Sequence, residues 1–332
     1  MKIKSNDKGG VSVSVIYLLT EGVKAQVNGG RLIATKQKET LWSIPLRDVE
    51  SLVVGRTAQV TTQAVYAIVE QGGFIFYVNR NGKIYGTLGD EKISLRRLRN
   101  QMHYFEKPEI QLELSKYVVE KKIRSQKNLL RSYGKTNSSP AVKDAVQAIG
   151  NTIGKVRNAE TVESLLGLEG QAAREYFGVF GNLLSAEGFR WFGRHKHPAP
   201  DPVNALLSFG YFYLEREVRI ALAAFGADVR VGFFHSNNGR KDSLVYDLME
   251  LFRAAVSDRL VLKLLNLGRL KPEDFIQIEN RSFLSSEGKK KWCRYYEEYM
   301  QAGVKEYGGI TPRDFIRNQI QVFFKEEVEK VA

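Results

Sequence analysis

The stretch HSNNGRKDSLVYDLME, residues 235 to 250, sets a histidine ahead of a glycine-bearing turn and then two carboxylates on one helical run. In SLVYDLMELFRAAV the residues Leu244, Val245, Leu248, Leu251 and Phe252 mark a buried stripe, and Asp247 and Glu250, three apart, share a neighbouring face. The Asn237-Asn238-Gly239 turn can fold His235 back toward them. A histidine nitrogen with carboxylate oxygens suits Mg²⁺ or Mn²⁺, and Mn²⁺ gains more from the nitrogen. A third ligand has to come from elsewhere. LLGLEGQAAREYF offers Glu169, flanked by Gly167 and Gly170. Glycines inside a helical stretch cost stability, which predicts a repayment such as a close backbone approach. Spacing alone leaves a second reading open, in which the two acids are a solvated helix face and the histidine is a hydrogen-bonded turn residue.

The wider composition points the same chemistry toward a polyanion. Of 332 residues, 50 are Lys or Arg and 37 are Asp or Glu, a net charge of +13. Phosphate neutralisation by such a surplus supplies affinity without reading a base sequence. KISLRRLRNQ, KKIRSQKNLLR and FRWFGRHKH interleave the basic residues with apolar ones, and Phe189, Trp191 and Phe192 are candidate stacking or duplex-end wedge residues, although such spacing equally describes core. His195 and His197 lie in a proline-rich loop that offers no further ligand, so they are read as loop residues. The single cysteine, Cys293, cannot form an intrachain disulfide. MKIKSNDKGG lacks the apolar core of a signal peptide, and VSVSVIYLL is about half the length that spans a bilayer, so a cytoplasmic protein without a membrane segment is expected.

The elements that must position these residues fall into two parts, as the length also suggests. Up to about residue 88, runs rich in Val, Ile, Tyr and Phe read as strands, and Asn28-Gly29-Gly30 and Asn81-Gly82 read as hairpin turns. VTTQAVYAIVEQGG reads as a short helix ended by glycine. From about residue 91 the period becomes helical and stays so to the end, with GKTNSSPAV and RHKHPAPDPV as surface loops, the second closed by prolines that open the next helix. The expected class is α+β: a small, mainly antiparallel N-terminal β domain over 1–90, then an all-helical domain over 91–332.

Taken together, LLGLEGQAAREYF, HPAPDPVNALLSFGY, GFFHSNNGRKDSLVYDLMELFR and VSDRLVLKLLNLGRLKPEDF resemble the CRISPR-associated adaptation integrase and endonuclease family, "Cas one", over nearly the whole chain. The resemblance implies a metal-dependent DNA endonuclease and strand-transfer enzyme that inserts short spacers into a CRISPR array by 3′-hydroxyl attack at the leader–repeat junction. It carries metal coordination onto Glu169, His235 and Glu250, and a supporting or second-metal role onto Asp247. Arg253 would face a DNA phosphate or, alternatively, pair with Glu250. Some members have aspartate where this chain has Glu250. Arg190, Arg194, Arg240 and Lys241 are further candidate DNA contacts. Implied partners are double-stranded DNA (prespacer and repeat), a second copy joined through the β domain, and a small ferredoxin-like companion. A non-catalytic DNA-binding scaffold and a related transposon-type integrase are the rival readings.

Overall fold

A computed structural model describes residues 14–79, 82–89, 93–134, 139–195, 199–235 and 242–331. The chain divides into two compact units, one formed by 1–91 with 290–303 and the other by 92–289 with 304–332. Among the described residues no helix is long and apolar enough to cross a membrane.

The first unit holds eight strands and a helix: β1 Ser14–Leu18, β2 Lys24–Asn28, β3 Arg31–Lys36, β4 Glu39–Pro45, β5 Val49–Gly55, β6 Gln59–Val60, α1 Thr62–Glu70, β7 Phe74–Val78 and β8 Ile84–Leu88. They form two four-stranded sheets, ordered β1-β5-β7-β8 and β4-β3-β2-β6. Between β2 and β3, Gly29 and Gly30 both take positive φ, 55° and 69°, the turn that the Asn-Gly-Gly signal requires. Asn81, of the second hairpin signal, lies outside the described residues, but β7 and β8 pair antiparallel as that signal implies. Thr61 caps α1, its hydroxyl accepting from the Ala64 amide, and Gly72 follows the helix end at φ 83°.

The mainly antiparallel expectation is corrected by the pairing itself. β1 with β5, β5 with β7 and β2 with β6 run parallel, as many pairs as run antiparallel. Between β5 and β7 the chain passes through α1, the crossover that parallel neighbours need. The signal was present in VESLVVG, where Ser51 to Val54 are all buried. An uninterrupted buried run belongs to a central parallel strand covered on both faces. One core cluster takes Ile16, Leu52 and Ile75 from one sheet, Ala25, Leu32 and Ile44 from the other, and Ile68 from α1. The same unit takes in 290–303, where the Tyr17 hydroxyl donates to a buried Glu297 carboxylate oxygen at 2.6 Å. Local periodicity does not show that return.

The second unit carries α2 Leu95–Phe105, α3 Pro108–Gly134, α4 Pro140–Val156, α5 Val162–Gly178, α6 Pro202–Phe225, α7 Ser243–Met249 and α8 Arg259–Asn266. After α8 come β9 Phe275–Ile278 and β10 Arg281–Leu284, then α9 Ser286–Gln301, whose later part joins the first unit, and α10 Pro312–Val322. The β9–β10 antiparallel hairpin corrects the all-helical expectation. Alternation is short there, four residues a strand, too little to interrupt a helical reading. α6 is buried nearly all round. Asp201 caps it by accepting from the Asn204 amide at 2.8 Å, and Pro202 opens it, as the proline signal predicts. Its buried charges are paired: Glu217 lies between Arg216 and Arg313, and Arg219 between Glu215 and Asp242.

Candidate active site

His235 ends a loop that the chain pins from two sides. From α2, Gln101 Nε2 donates to the Asp228 carbonyl at 2.9 Å, Gln101 Oε1 accepts from the Asp228 amide at 2.9 Å, and the Tyr104 hydroxyl donates to the Val231 carbonyl at 2.5 Å. From α7, the Ser243 hydroxyl donates to the Arg230 carbonyl at 2.7 Å and accepts from the Gly232 amide at 3.1 Å. Asp247, wholly buried, closes the arrangement. Its Oδ2 accepts from the amides of Phe233 and Phe234 at 2.7 and 3.1 Å, and its Oδ1 accepts from the His235 amide at 2.8 Å. Gly232 is required at this turn, because a Cβ there would lie 2.6 Å from Asp247 Oδ2 and 2.7 Å from the Ser243 hydroxyl oxygen.

The imidazole is aimed by the same carboxylate. His235 Nδ1 lies 2.6 Å from Asp247 Oδ1, which puts the proton of the neutral ring on Nδ1 and leaves Nε2 with its lone pair. Burial lowers the pKa of His235, but the Asp247 hydrogen bond and the charges of Asp247, Glu250 and Glu169 outweigh it, and the net shift is upward. Asp247 is thus a support for the loop and the ring.

The helix expected over SLVYDLMELFRAAV is not continuous. α7 stops at Met249, Leu251 and Phe252 bond back three residues, and the Ser257 amide reaches the Phe252 carbonyl five residues back in a π-helical turn over Arg253–Asp258 before α8 resumes. Upstream of that π turn, Asp247 and Glu250 serve different partners. Asp247 faces the His235 loop, whereas Glu250 joins Lys122 of α3 and Glu169 of α5.

Those three side chains line a cavity of about 670 Å³ with His235, Arg253, Tyr211 and Asp258. The Lys122 ammonium donates to Glu169 Oε1 and lies 2.5 Å from Glu250 Oε2. Burial works against the charge on Lys122, but Glu250 and Glu169 overcome it and its pKa is raised. Glu250 is pushed up by burial and pulled down further by Arg253 and Lys122, to about 2. Arg253 Nε lies 2.8 Å from Glu250 Oε1 without an aligned N–H, so the contact is an ion pair, and the guanidinium stacks 4.4 Å from the Tyr211 ring centre. Of the two roles open to Arg253, the structure displays the pair with Glu250. Behind it, Asp258 accepts from Tyr176 and Tyr211 at 2.9 and 2.8 Å, and burial raises its pKa to about 6 against those hydrogen bonds.

The structure therefore brings Glu169, His235, Glu250 and Arg253 to one cavity. Arg194 lines it too, but its guanidinium is engaged by Asn204 Oδ1 at 2.9 Å and the Ser208 hydroxyl at 3.1 Å. Arg190 is exposed and is not among the lining residues. Arg240, Lys241, His197 and the Asn237-Asn238-Gly239 turn lie outside the described residues. Trp191 is packed on Phe177 and Phe180 and donates its indole N–H to the Phe177 carbonyl at 2.8 Å, Phe189 stands edge-on to Phe275, and only Phe192 of the three aromatics is exposed. Gly167 and Gly170 make no close approach; a Cβ at the first would meet nothing within 4 Å and at the second only Arg174, at 3.9 Å. Sequence reasoning missed Lys122 and Asp258. Each interrupts a buried stripe, Lys122 among Ser115, Val119 and Gln126, and Asp258 among Ala254, Val261 and Leu262. A charge at a stripe position was the available signal.

Among the described residues, no three His, Cys, Asp or Glu side chains stand close enough to hold a metal ion as they are. The donor chemistry does fit one. Two carboxylates from different elements face a single cationic group, and His235 Nε2 is unused by Asp247.

Two units, one β-rich and one helical, with a charged cavity in the helical one, define an α+β protein. A profile of the family described as CRISPR associated protein Cas1 matches residues 16–298, and the chain belongs to that family. A CRISPR-associated endonuclease Cas1 of Rhodospirillum rubrum is 33% identical over 290 residues, which is 84% of this chain and 83% of that protein. An exonuclease Cas4/endonuclease Cas1 fusion of Leptospira interrogans is 31% identical over 80% of this chain, and the chain spans 50% of that longer protein. Among solved structures, a casposase bound to its integration product superposes with a TM-score of 0.81 at 24% identity over 95% of this chain and 91% of the other, a likeness of fold.

Proposed function

We propose that this chain is a metal-dependent DNA endonuclease and strand-transfer enzyme that inserts short DNA spacers into a CRISPR array. The observation that supports it is the convergence of Glu169 and Glu250, from separate elements, with the open nitrogen of His235 on one charged cavity. Family membership and the names of curated relatives as endonucleases agree with it.

Glu169, His235 and Glu250 would hold Mg²⁺ or Mn²⁺. Such an ion supplies polarisation of a non-bridging phosphate oxygen and neutralises charge that develops in phosphodiester transesterification. Asp247 holds the His235 ring and its loop, so one ligand is oriented before substrate arrives. Arg253, stacked on Tyr211, keeps Glu250 ionised and fixed. A 3′-hydroxyl entering the cavity gives strand joining, and water in its place gives cleavage. The chain's surplus of basic residues, with Arg190 exposed, supports capture of duplex DNA through its phosphates. The reading extends to a homodimer through the N-terminal β unit and to a small ferredoxin-like companion, as the family resemblance implies.

The test is an integration assay with the full-length protein, its small partner, a 3′-hydroxyl duplex, a supercoiled plasmid bearing a matched repeat, and Mg²⁺, Mn²⁺ or chelator. Metal-dependent joining that vanishes in His235→Ala and Glu169→Ala while DNA binding persists is the expected result. Binding without joining in every metal would leave a DNA-holding scaffold instead.

A further inference from the structure

Lys122 is a charged group in the cavity that the proposed reaction does not use. It comes from α3, whereas Glu169 comes from α5 and Glu250 from the turn after α7. Its side chain is 12% exposed, and the two carboxylates it joins are 19% and 6% exposed. A lysine at a buried stripe position is costly unless something needs its charge, because its desolvation is repaid only by well-placed partners. The partners here are the two carboxylates to which metal coordination is assigned.

Charge counting shows the consequence. Glu169 and Glu250 contribute two negative charges, and Lys122 and Arg253 offset them with two positive ones. These four charges balance one another, and Arg174, Arg194 and Asp258 line the rest of the cavity. A divalent ion entering between the carboxylates while the ammonium stayed would leave a surplus of positive charge in a poorly solvated cavity, so the ammonium has to leave as the ion arrives. One turn further along α3, Gln126 lines the same cavity, and its buried Oε1 has no hydrogen-bond donor among the described residues. It is within reach of a lysine four residues earlier on the same helix face.

We infer that Lys122 is a built-in counter-ion that occupies the cation position between Glu169 and Glu250 in the metal-free protein and competes with the divalent ion for that position, its ammonium passing to Gln126 when the ion is seated. The inference rests on the metal-site reading above. It gives the lysine two separable effects: it holds two carboxylates together without metal, and it weakens metal binding.

The experiment is calorimetric titration of the full-length, DNA-free protein with MnCl₂, beside melting curves in EDTA and in Mn²⁺, for wild type, Lys122→Met, Lys122→Gln, Lys122→Arg and His235→Ala. Lys122→Met and Lys122→Gln are expected to bind Mn²⁺ about tenfold more tightly than wild type. In EDTA both melt below wild type, and Mn²⁺ raises their melting temperature by more than it raises that of wild type. Lys122→Arg, which keeps the charge, binds no more tightly than wild type. Lys122→Gln keeps the test alive should the methionine variant fail to fold. Wild-type binding that is lost in His235→Ala but unchanged or weakened in both neutral Lys122 variants overturns the inference and leaves the metal site standing. Tight binding by Lys122→Arg equal to the neutral variants also overturns it, since charge would then not be the cause. If wild type, both neutral variants and His235→Ala all fail to bind Mn²⁺, the metal-site reading falls and takes the inference with it.

Discussion

Asp247→Ala separates a residue that organises the site from one that acts in it. The carboxylate accepts from three backbone amides, at 2.7, 3.1 and 2.8 Å, and from the His235 ring at 2.6 Å. Hydrogen bonds to a charged group contribute about 1.5–3 kcal/mol each, and a buried donor left without a partner costs about 1–3 kcal/mol. His235 is partly open, so water can replace its lost acceptor, but Phe233 and Phe234 are buried and would keep two orphaned amides. Two such amides give about 2–6 kcal/mol, and about 4 kcal/mol is the expected local loss. The assay is hydrogen exchange read on a peptide spanning residues 229–235, since opening of the loop need not unfold the molecule. At about 1.4 kcal/mol per factor of ten, protection of the Phe233 and Phe234 amides should fall by about a thousandfold. Asp247→Asn keeps one acceptor oxygen and should fall between the two. Full protection in Asp247→Ala with loss of DNA cleavage would refute the reasoning, because it would make the carboxylate a participant in chemistry and not the loop's organiser.

Three further outcomes follow from the geometry. Gly232→Ala puts a methyl group 2.6 Å from Asp247 Oδ2, so it should destabilise the second unit by about 1–3 kcal/mol and expose the same peptide to exchange; denaturant melts and exchange with unchanged values would contradict this. Glu217, buried between Arg313 and Arg216, is pushed up by burial but held low by those charges, to about 2, so its ionised form contributes stability that is present above pH 4.5 and lost as pH falls toward 2. The stability gap between wild type and Glu217→Gln should therefore shrink over that window, and a constant gap in acid titrations would count against the pair. Because Arg253 is held by Glu250 and Tyr211, Arg253→Ala should leave the slope of log affinity against log salt for DNA binding nearly unchanged; a loss of about 0.9 in slope would show that Arg253 meets a phosphate itself.

Local chemistry in the sequence determined a good deal. Gly29 and Gly30 dictated the β2–β3 turn, Thr61 and Gly72 bounded α1, Asp201 and Pro202 started α6, and the change of hydrophobic period marked where strands give way to helices. Each depends on backbone preferences within a few residues, which are readable without neighbours. Glu169 and His235 were also legible as candidate site residues, the first by resemblance and the second by its place before a glycine turn.

Tertiary structure alone decided the rest. Whether β5 lies between parallel neighbours depends on which distant strands pair with its two edges; the apolar run in VESLVVG suits such a strand but names no partner. That Asp247 serves the His235 loop while Glu250 meets Lys122 was set by the elements packed beside each carboxylate, which the amino-acid types do not mark. Lys122 looked like one more member of a basic helix, and Arg253 stood open between a DNA phosphate and a pair with Glu250. Only packing of α3 against α5 and the turn after α7 turned the first into the shared partner of two carboxylates, because the value of a charge is set by the burial and the opposite charges that the fold gathers around it.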